Sequence, residues 1–226
     1  MLDSPSPYHH GALRAALFEA TEALLAERGA DGFSLREVAR RAGVSPAAPS
    51  HHFGDAAGLL TAVATLGFEG LTQALEAGDA RGGGDPLAAL REQGVEYVRY
   101  ALRFPGRFRL MFRSAARRGD PDLARHADAA IEVLAHGVRR AFGVADAQSM
   151  QPAHWYAVTA LWSLVHGYGH LAIAGKFDGL AGEEGLEAFV ERSLRPILDA
   201  SLRGGVIGGH ALPHGSWPAG TAEAPR

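Results

Sequence analysis

Three groups of side chains in this 226-residue chain have the types and spacing to do chemistry. The first lies between residues 32 and 60. There Arg36, Arg40 and Arg41 precede Ser45, Pro46, Ala47, Ser50, His51 and His52, a set of cationic, hydroxyl and imidazole donors interleaved with small apolar side chains. Arg40 and Arg41 fit a solvated helix face equally well, and the two histidines could instead satisfy backbone carbonyls. The second group is His166 and His170. Their i, i+4 spacing puts two imidazoles on one helix face, as a metal pair requires, but no Asp or Glu lies within a turn to complete it. Packing or a pocket hydrogen bond is the expected role, and no metal is. The third group is the stretch from Arg99 to Arg118, which holds seven arginines and no acid. Arg99, Arg103 and Arg107 share a helical stripe, suited to an anionic ligand such as an acyl thioester or to a solvated basic face, the latter being the simpler reading. No nucleophile, base and orienter stand at a recognisable spacing, and no glycine-rich loop cradles phosphate, so neither catalysis nor a cofactor is expected.

The elements that must position the first group are legible. Ser34 and Glu37 have the spacing of a capping box, which predicts a helix from about Leu35 with Leu35, Val38, Ala39 and Ala42 on one face. Gly43 supplies the left-handed exit, and Ser45 with Pro46 predicts a second helix at about 46–52. Phe53 is expected beneath it as a plug, and Asp55 to cap the next helix. A preceding helix from about His10 to Arg28, with Leu13, Leu17, Ala20 and Leu24 at helical spacing, buttresses this pair. An ordinary helical hairpin in a core would share some of these features.

Beyond residue 54 the pattern stays helical. Predicted helices run at about 55–77, 87–104, 120–142, 152–175 and 183–202, with 78–86 a glycine-rich surface loop, 108–112 a short apolar helix or turn, and Pro196 a kink. Residues 1–8 read as a mobile arm and 204–226 as a disordered tail. The fold class is therefore all-α, with residues 1–54 expected as a three-helix helix-turn-helix domain and 55–203 as a second helical domain. Tyr97, Tyr100, Phe108, Met111, Phe112, Trp155, Trp162 and His166 are the candidate pocket lining, although aromatics at helical spacing also build ordinary cores.

A hydrophobic content of 47% is ample for a core, and the chain has no cysteine for disulfides or thiolate metal sites. The N-terminus lacks the pattern of a signal peptide and no apolar run reaches the roughly 18 residues of a membrane span, so a soluble, cytoplasmic protein is expected. Formal net charge is −3, so affinity for nucleic acid must be local rather than global.

The segments YHHGALRAAL at 8–17 and GFSLREVARRAGVSPAAPSHHF at 32–53 resemble the DNA-binding domain of the TetR family of bacterial transcriptional regulators. FPGRFRLMF at 104–112 and Trp162, His166 and Gly167 resemble one subtype of that family's ligand domain. The resemblance implies a ligand-responsive regulator, with recognition helices in successive major grooves of a palindromic double-stranded operator and release by a small-molecule effector. It implies a homodimer through the last two helices, and no membrane partner. It also places Arg36, Ser45, Pro46, Ala47, Ser50, His51 and His52 at DNA-contact positions. Ser50 stands where the family usually has tyrosine and Ala56 where it usually has lysine, two phosphate contacts fewer. The competing reading is a helical dimer that binds a small molecule or protein and has weakened or lost DNA binding.

Overall fold

The computed structural model describes residues 7–30, 32–113 and 120–206, with the side chains of 7–10, 205 and 206 outside that set. Among the described residues every regular element is helical. The longer ones are α1 (Pro7–Arg28), α2 (Leu35–Arg41), α3 (Ala48–Phe53), α4 (Ala56–Gly82), α5 (Pro86–Arg103), α6 (Pro105–Met111), α7 (Pro121–Phe142), α8 (Pro152–Ile173), α9 (Asp178–Ala181) and α10 (Gly185–Ser201). Short 3₁₀ turns occupy Ala147–Ser149 and Gly182–Glu184, and a π turn, Leu202–Val206, follows α10. None of the described helices is long and apolar enough to cross a membrane.

Local chemistry explains most boundaries. Asp55, Asp85 and Asp120 each accept a backbone N–H in the first turn of α4, α5 and α7, and Pro86 and Pro121 occupy first-turn positions where no amide partner is lost. Gly143 ends α7 in the left-handed conformation, φ 66°.

Four expectations are corrected. The glycine-rich stretch at 78–86 is not all loop, because α4 continues to Gly82. A Cβ on Gly78 would lie 2.7 Å from the Glu92 carbonyl oxygen, and one on Gly82 would lie 2.2 Å from the Ala89 Cα. These glycines let α4 and α5 meet backbone to backbone rather than ending a helix. The short element expected at 108–112 is a helix that begins earlier, with Pro105 opening α6. The second helix of the pair begins at Ala48 rather than residue 46, and residues 204–206 continue past α10 in the π turn. The rest of the expected tail, 207–226, and residues 1–6 of the expected arm lie outside the described residues.

A single cluster of buried side chains runs from Leu17, Leu24, Val38 and Leu59 through Leu71 and Phe108 to Val165 and Leu198. Leu17, Leu24 and Leu59 are at most 1% exposed, and each such burial contributes about 1.5–3 kcal/mol. The first three helices thus share their core with the helices that follow. Leu90, Ala135, Val138, Val158, Leu161 and Leu202 form a second cluster at the far end.

Candidate nucleic-acid interface and internal cavity

Helices α2 and α3 meet across a turn that their sequence dictates. Gly43, φ 68°, allows the Val44 amide to donate to the Ala39 carbonyl at 3.0 Å. The Ala48 amide donates to the Ser45 carbonyl at 3.0 Å, so 45–48 is a tight turn, and α3 follows with Pro49 in its first turn and buried. That arrangement moves Pro46 and Ala47 from the expected helix, and Ser45 from its expected cap, onto the turn that leads into it. Phe53 closes the underside as expected. Its ring lies 5.6 Å from Phe18, and the Arg14 guanidinium covers both rings at 5.5 and 5.2 Å. At the junction with α4, a Cβ on Gly58 would fall 2.1 Å from the Phe53 carbonyl oxygen, so only glycine fits.

Arg36, Arg40, Ser45, Pro46, Ala47, Ser50 and His51 are exposed, while Arg41 and His52 are half-buried. His51 and His52 pack edge to face at 5.5 Å. Ser34 caps α2 through the Glu37 amide at 3.2 Å, but the return half of the capping box is replaced, because Glu37 holds Arg40 at 2.7 and 3.0 Å instead. Arg41 is clasped in the same bidentate way by Glu27 of α1, at 2.6 and 2.7 Å. These hydrogen bonds hold both carboxyls below their ordinary pKa. Arg36 makes no ion pair among the described residues. The side chains of His9 and His10 lie outside those described.

The body encloses an apolar cavity of about 50 Å³. Phe68, Leu71 and Leu75 of α4, Leu90, Gln93, Gly94 and Tyr97 of α5, and Phe112 just beyond α6 form one side. Residues of α7 and α8, including Ile131, Leu134, Val158 and Trp162, form the other, with Leu198 of α10 at one end. Of the expected lining, Tyr97, Phe112 and Trp162 are on the wall. Phe108 and Met111 are fully buried in the adjoining core, and Tyr100 turns away to donate to the Gly67 carbonyl at 2.8 Å. Trp155 is 46% exposed and off the cavity wall: it shares the helical phase of Trp162 but stands two turns nearer the start of α8. His166 stands behind Tyr97. The Trp162 N–H donates to the Tyr97 oxygen at 3.3 Å, and the hydroxyl is 2.8 Å from His166 Nδ1. Trp can only donate, so the arrangement that gives every hydrogen a partner has the Tyr97 O–H donating to Nδ1, with His166 as the Nε2–H tautomer. Burial, and then His170 at 4.5 Å, lower the His166 pKa. Burial raises that of Tyr97.

Gln93 was not expected on this wall. It is 1% exposed, its Nε2 donates to Asp79 at 2.8 Å, and its Oε1 has no hydrogen-bond partner among the described residues. The available signal was a lone amide three residues after Leu90 and four before Tyr97, within the buried stripe of α5.

The arginine stripe is largely spoken for. Arg99 pairs with Glu191 at 2.6 and 2.7 Å and with Glu96, and Arg107 pairs with Glu22 of α1 while its guanidinium lies over Phe104 at 4.4 Å. Arg103 also sits over Phe104, and Arg109 donates to the Ile173 carbonyl. Arg117 and Arg118 lie outside the described residues. The stripe therefore ties helices together and forms no continuous anion site.

Known proteins share both halves of this arrangement. Residues 17–63 match the family model for bacterial regulatory proteins of the tetR family, and 90–197 match the model for the tetracyclin repressor-like C-terminal domain. No curated protein matches by sequence. Among solved structures, a protein with unknown function from Rhodococcus sp. RHA1 is 30% identical with a TM-score of 0.66, over 87% of this chain and 98% of that one. The TetR family transcriptional regulator PfmR from Thermus thermophilus is 22% identical with a TM-score of 0.60, covering 85% and 97% respectively. LfrR from Mycobacterium smegmatis, a TetR-like transcriptional regulator in complex with proflavine, is 21% identical with a TM-score of 0.57, covering 89% and 99%.

Proposed function

Because the chain belongs to the tetR family of bacterial regulatory proteins, we propose that it represses transcription as a homodimer on a palindromic operator and is released by a small-molecule effector. One observation carries this reading. The exposed α2–α3 surface is mounted on α4, and the far half of that same helix walls the apolar cavity. Residues 1–54 would be the reading head and 55–203 the effector and dimer domain. Arg36, Ser45, Ser50, His51 and His52 would meet phosphates and bases, and Pro46 and Ala47 would meet thymine methyls.

Two exposed apolar faces support the dimer. On α8, Tyr156 and Leu171 are 48% and 47% exposed, and a Cβ on Gly167 between them would meet nothing within 4 Å. On α10, Ile197 is 40% exposed beside the exposed Pro196 and Ala200. Helix pairs from two subunits would bury these faces in a four-helix interface.

Selection of bound fragments from random genomic DNA at low salt tests the function. Recovery of an inverted repeat is expected, and no enrichment would sink the reading. A second reading has its own support: Arg40 and Arg41 are held by Glu37 and Glu27, and Ser50 and Ala56 replace two phosphate-holding side chains. If DNA binding has been lost, Ser50→Tyr with Ala56→Lys creates an affinity that the natural chain lacks. If it is retained, the pair only strengthens an existing one.

A further inference from the structure

Gln93, a residue of the cavity wall, carries one unfilled valence on a buried atom, Oε1. Gln93 cannot rotate its amide to hide it, because Nε2 faces the Asp79 carboxylate at 2.8 Å, and Asp79 is itself fixed by Arg140 at 2.8 Å. Exchanging the two ends would set the carbonyl oxygen against that carboxylate. Oε1 is thus held, buried, with no donor among the described residues. The other polar groups on the wall are satisfied: the Trp162 N–H and the Tyr97 hydroxyl are committed to each other and to His166. A buried acceptor without a donor costs about 1–3 kcal/mol, so a molecule that brings a donor gains an advantage that an apolar isostere lacks.

Resting on the reading of this cavity as the effector site, we infer that the effector is an uncharged, mainly apolar molecule whose single hydrogen-bond donor is taken by Gln93 Oε1. Charge works against the alternatives. An anion would face the Gln93 carbonyl oxygen on a wall whose lining residues include no cation. A cation would enter an apolar wall whose nearest carboxylate, Asp79, is already neutralised by Arg140. Size points the same way. The cavity, about 50 Å³, is far below the roughly 300–1,000 Å³ of a drug-sized site, so a compact ligand fits with the least displacement of Phe112 and Trp162.

The test uses the full chain without DNA and three probes titrated calorimetrically: 4-propylphenol, 4-propyltoluene with a methyl in place of the hydroxyl, and 4-propylbenzoate. The affinity ratio of phenol to toluene should fall on the order of tenfold from the natural chain to Gln93→Leu, as expected for one buried hydrogen bond. Gln93→Met provides a second variant should the first fold poorly. Benzoate should bind more weakly than the phenol. An unchanged ratio in both variants, tighter binding of benzoate, or no binding of the phenol would overturn the inference. Failure of the regulatory reading looks different. Donor-selective binding with no operator in any genomic fragment removes the repressor and leaves the Gln93 site standing. An operator released by some ligand with equal potency in the natural chain and Gln93→Leu does the reverse.

Discussion

The joint between the first three helices and the body includes one ion pair whose removal should be measurable. Arg107 of α6 holds Glu22 of α1 through Nε at 2.5 Å and through a second, shorter bond from the same guanidinium. The two side chains are 12% and 24% exposed. Nearby, a Cβ on Gly106 would lie 2.8 Å from the Ala26 amide nitrogen, so α6 and α1 touch backbone to backbone. Burial alone would lower the Arg107 pKa, and the Tyr100 hydroxyl and Glu22 together outweigh it. Exposed pairs are worth about 0.2–1 kcal/mol, whereas removing one partner of a fully buried pair costs about 3–5 kcal/mol. With this degree of exposure Arg107→Met should cost about 2–3 kcal/mol, or a fall in Tm of roughly 5–10 °C. Glu22→Gln should cost less, since the guanidinium keeps Tyr100 and Phe104. Urea unfolding of both single variants and the double variant should give a coupling of about 1–2 kcal/mol. Amide exchange should quicken in α1 more than in α8. Additivity within about 0.5 kcal/mol would refute the claim that this pair docks the head.

Acidity should loosen the body through His166 and His170. Both pKa values are lowered from 6.5, by burial first and then by His170 and Arg109 respectively. The unfolded chain therefore binds protons that the folded one resists, so stability is full above pH 6.5 and falls as pH drops below it. The Tm lost between about pH 7.5 and pH 5.5 should be smaller in a His166→Asn, His170→Asn variant, and an equal loss would remove these residues from the effect. Gly82→Ala should cost about 1–3 kcal/mol in urea unfolding by separating α4 from α5. Gly84→Ala, whose Cβ meets nothing within 4 Å, should stay within about 0.5 kcal/mol. Glu37→Gln and Glu27→Gln should each tighten DNA binding and steepen the slope of log affinity against log salt by about 2 per dimer, measured by fluorescence anisotropy on the selected operator.

Legibility in the sequence followed locality. The expected 120–142 helix matches α7 because its caps, Asp120 and Gly143, act within one turn, and Ser34, Gly43 and Asp55 placed α2, α3 and the start of α4 for the same reason. Gly78 and Gly82 misled, since the atoms that require glycine there belong to α5, at Glu92 and Ala89. The capping box was half right because Glu37 had a stronger partner in Arg40 than in the Ser34 backbone. In the cavity, composition marked Tyr97, Phe112 and Trp162 but could not separate them from Phe108, which has the same chemistry and points into solid core. Gln93 escaped because its significance lies in an absent donor, a property of three helices together.

The arginine-rich composition acquires a meaning through these pairings. Arg99 and Arg195 bind Glu191 and Glu92 across α5 and α10, Arg91 reaches Asp199 on the same face, and Arg140 ties α7 to Asp79 of α4. On its other side α5 packs on α4 through glycines that leave no room for a Cβ. A ligand entering the small cavity therefore meets a wall pinned along α4, α5 and α10. The side formed by Phe112 is held differently. Phe112 follows α6, only seven residues long, whose Arg107 is the hold on Glu22 of the head. On the proposed reading, displacement of Phe112 by an effector is transmitted first to α6 and then through that ion pair to α1. The coupling between Glu22 and Arg107 should consequently weaken when the cavity is filled, while the pair between Arg99 and Glu191 should keep its strength. That contrast separates a directed response from a general loosening of the fold.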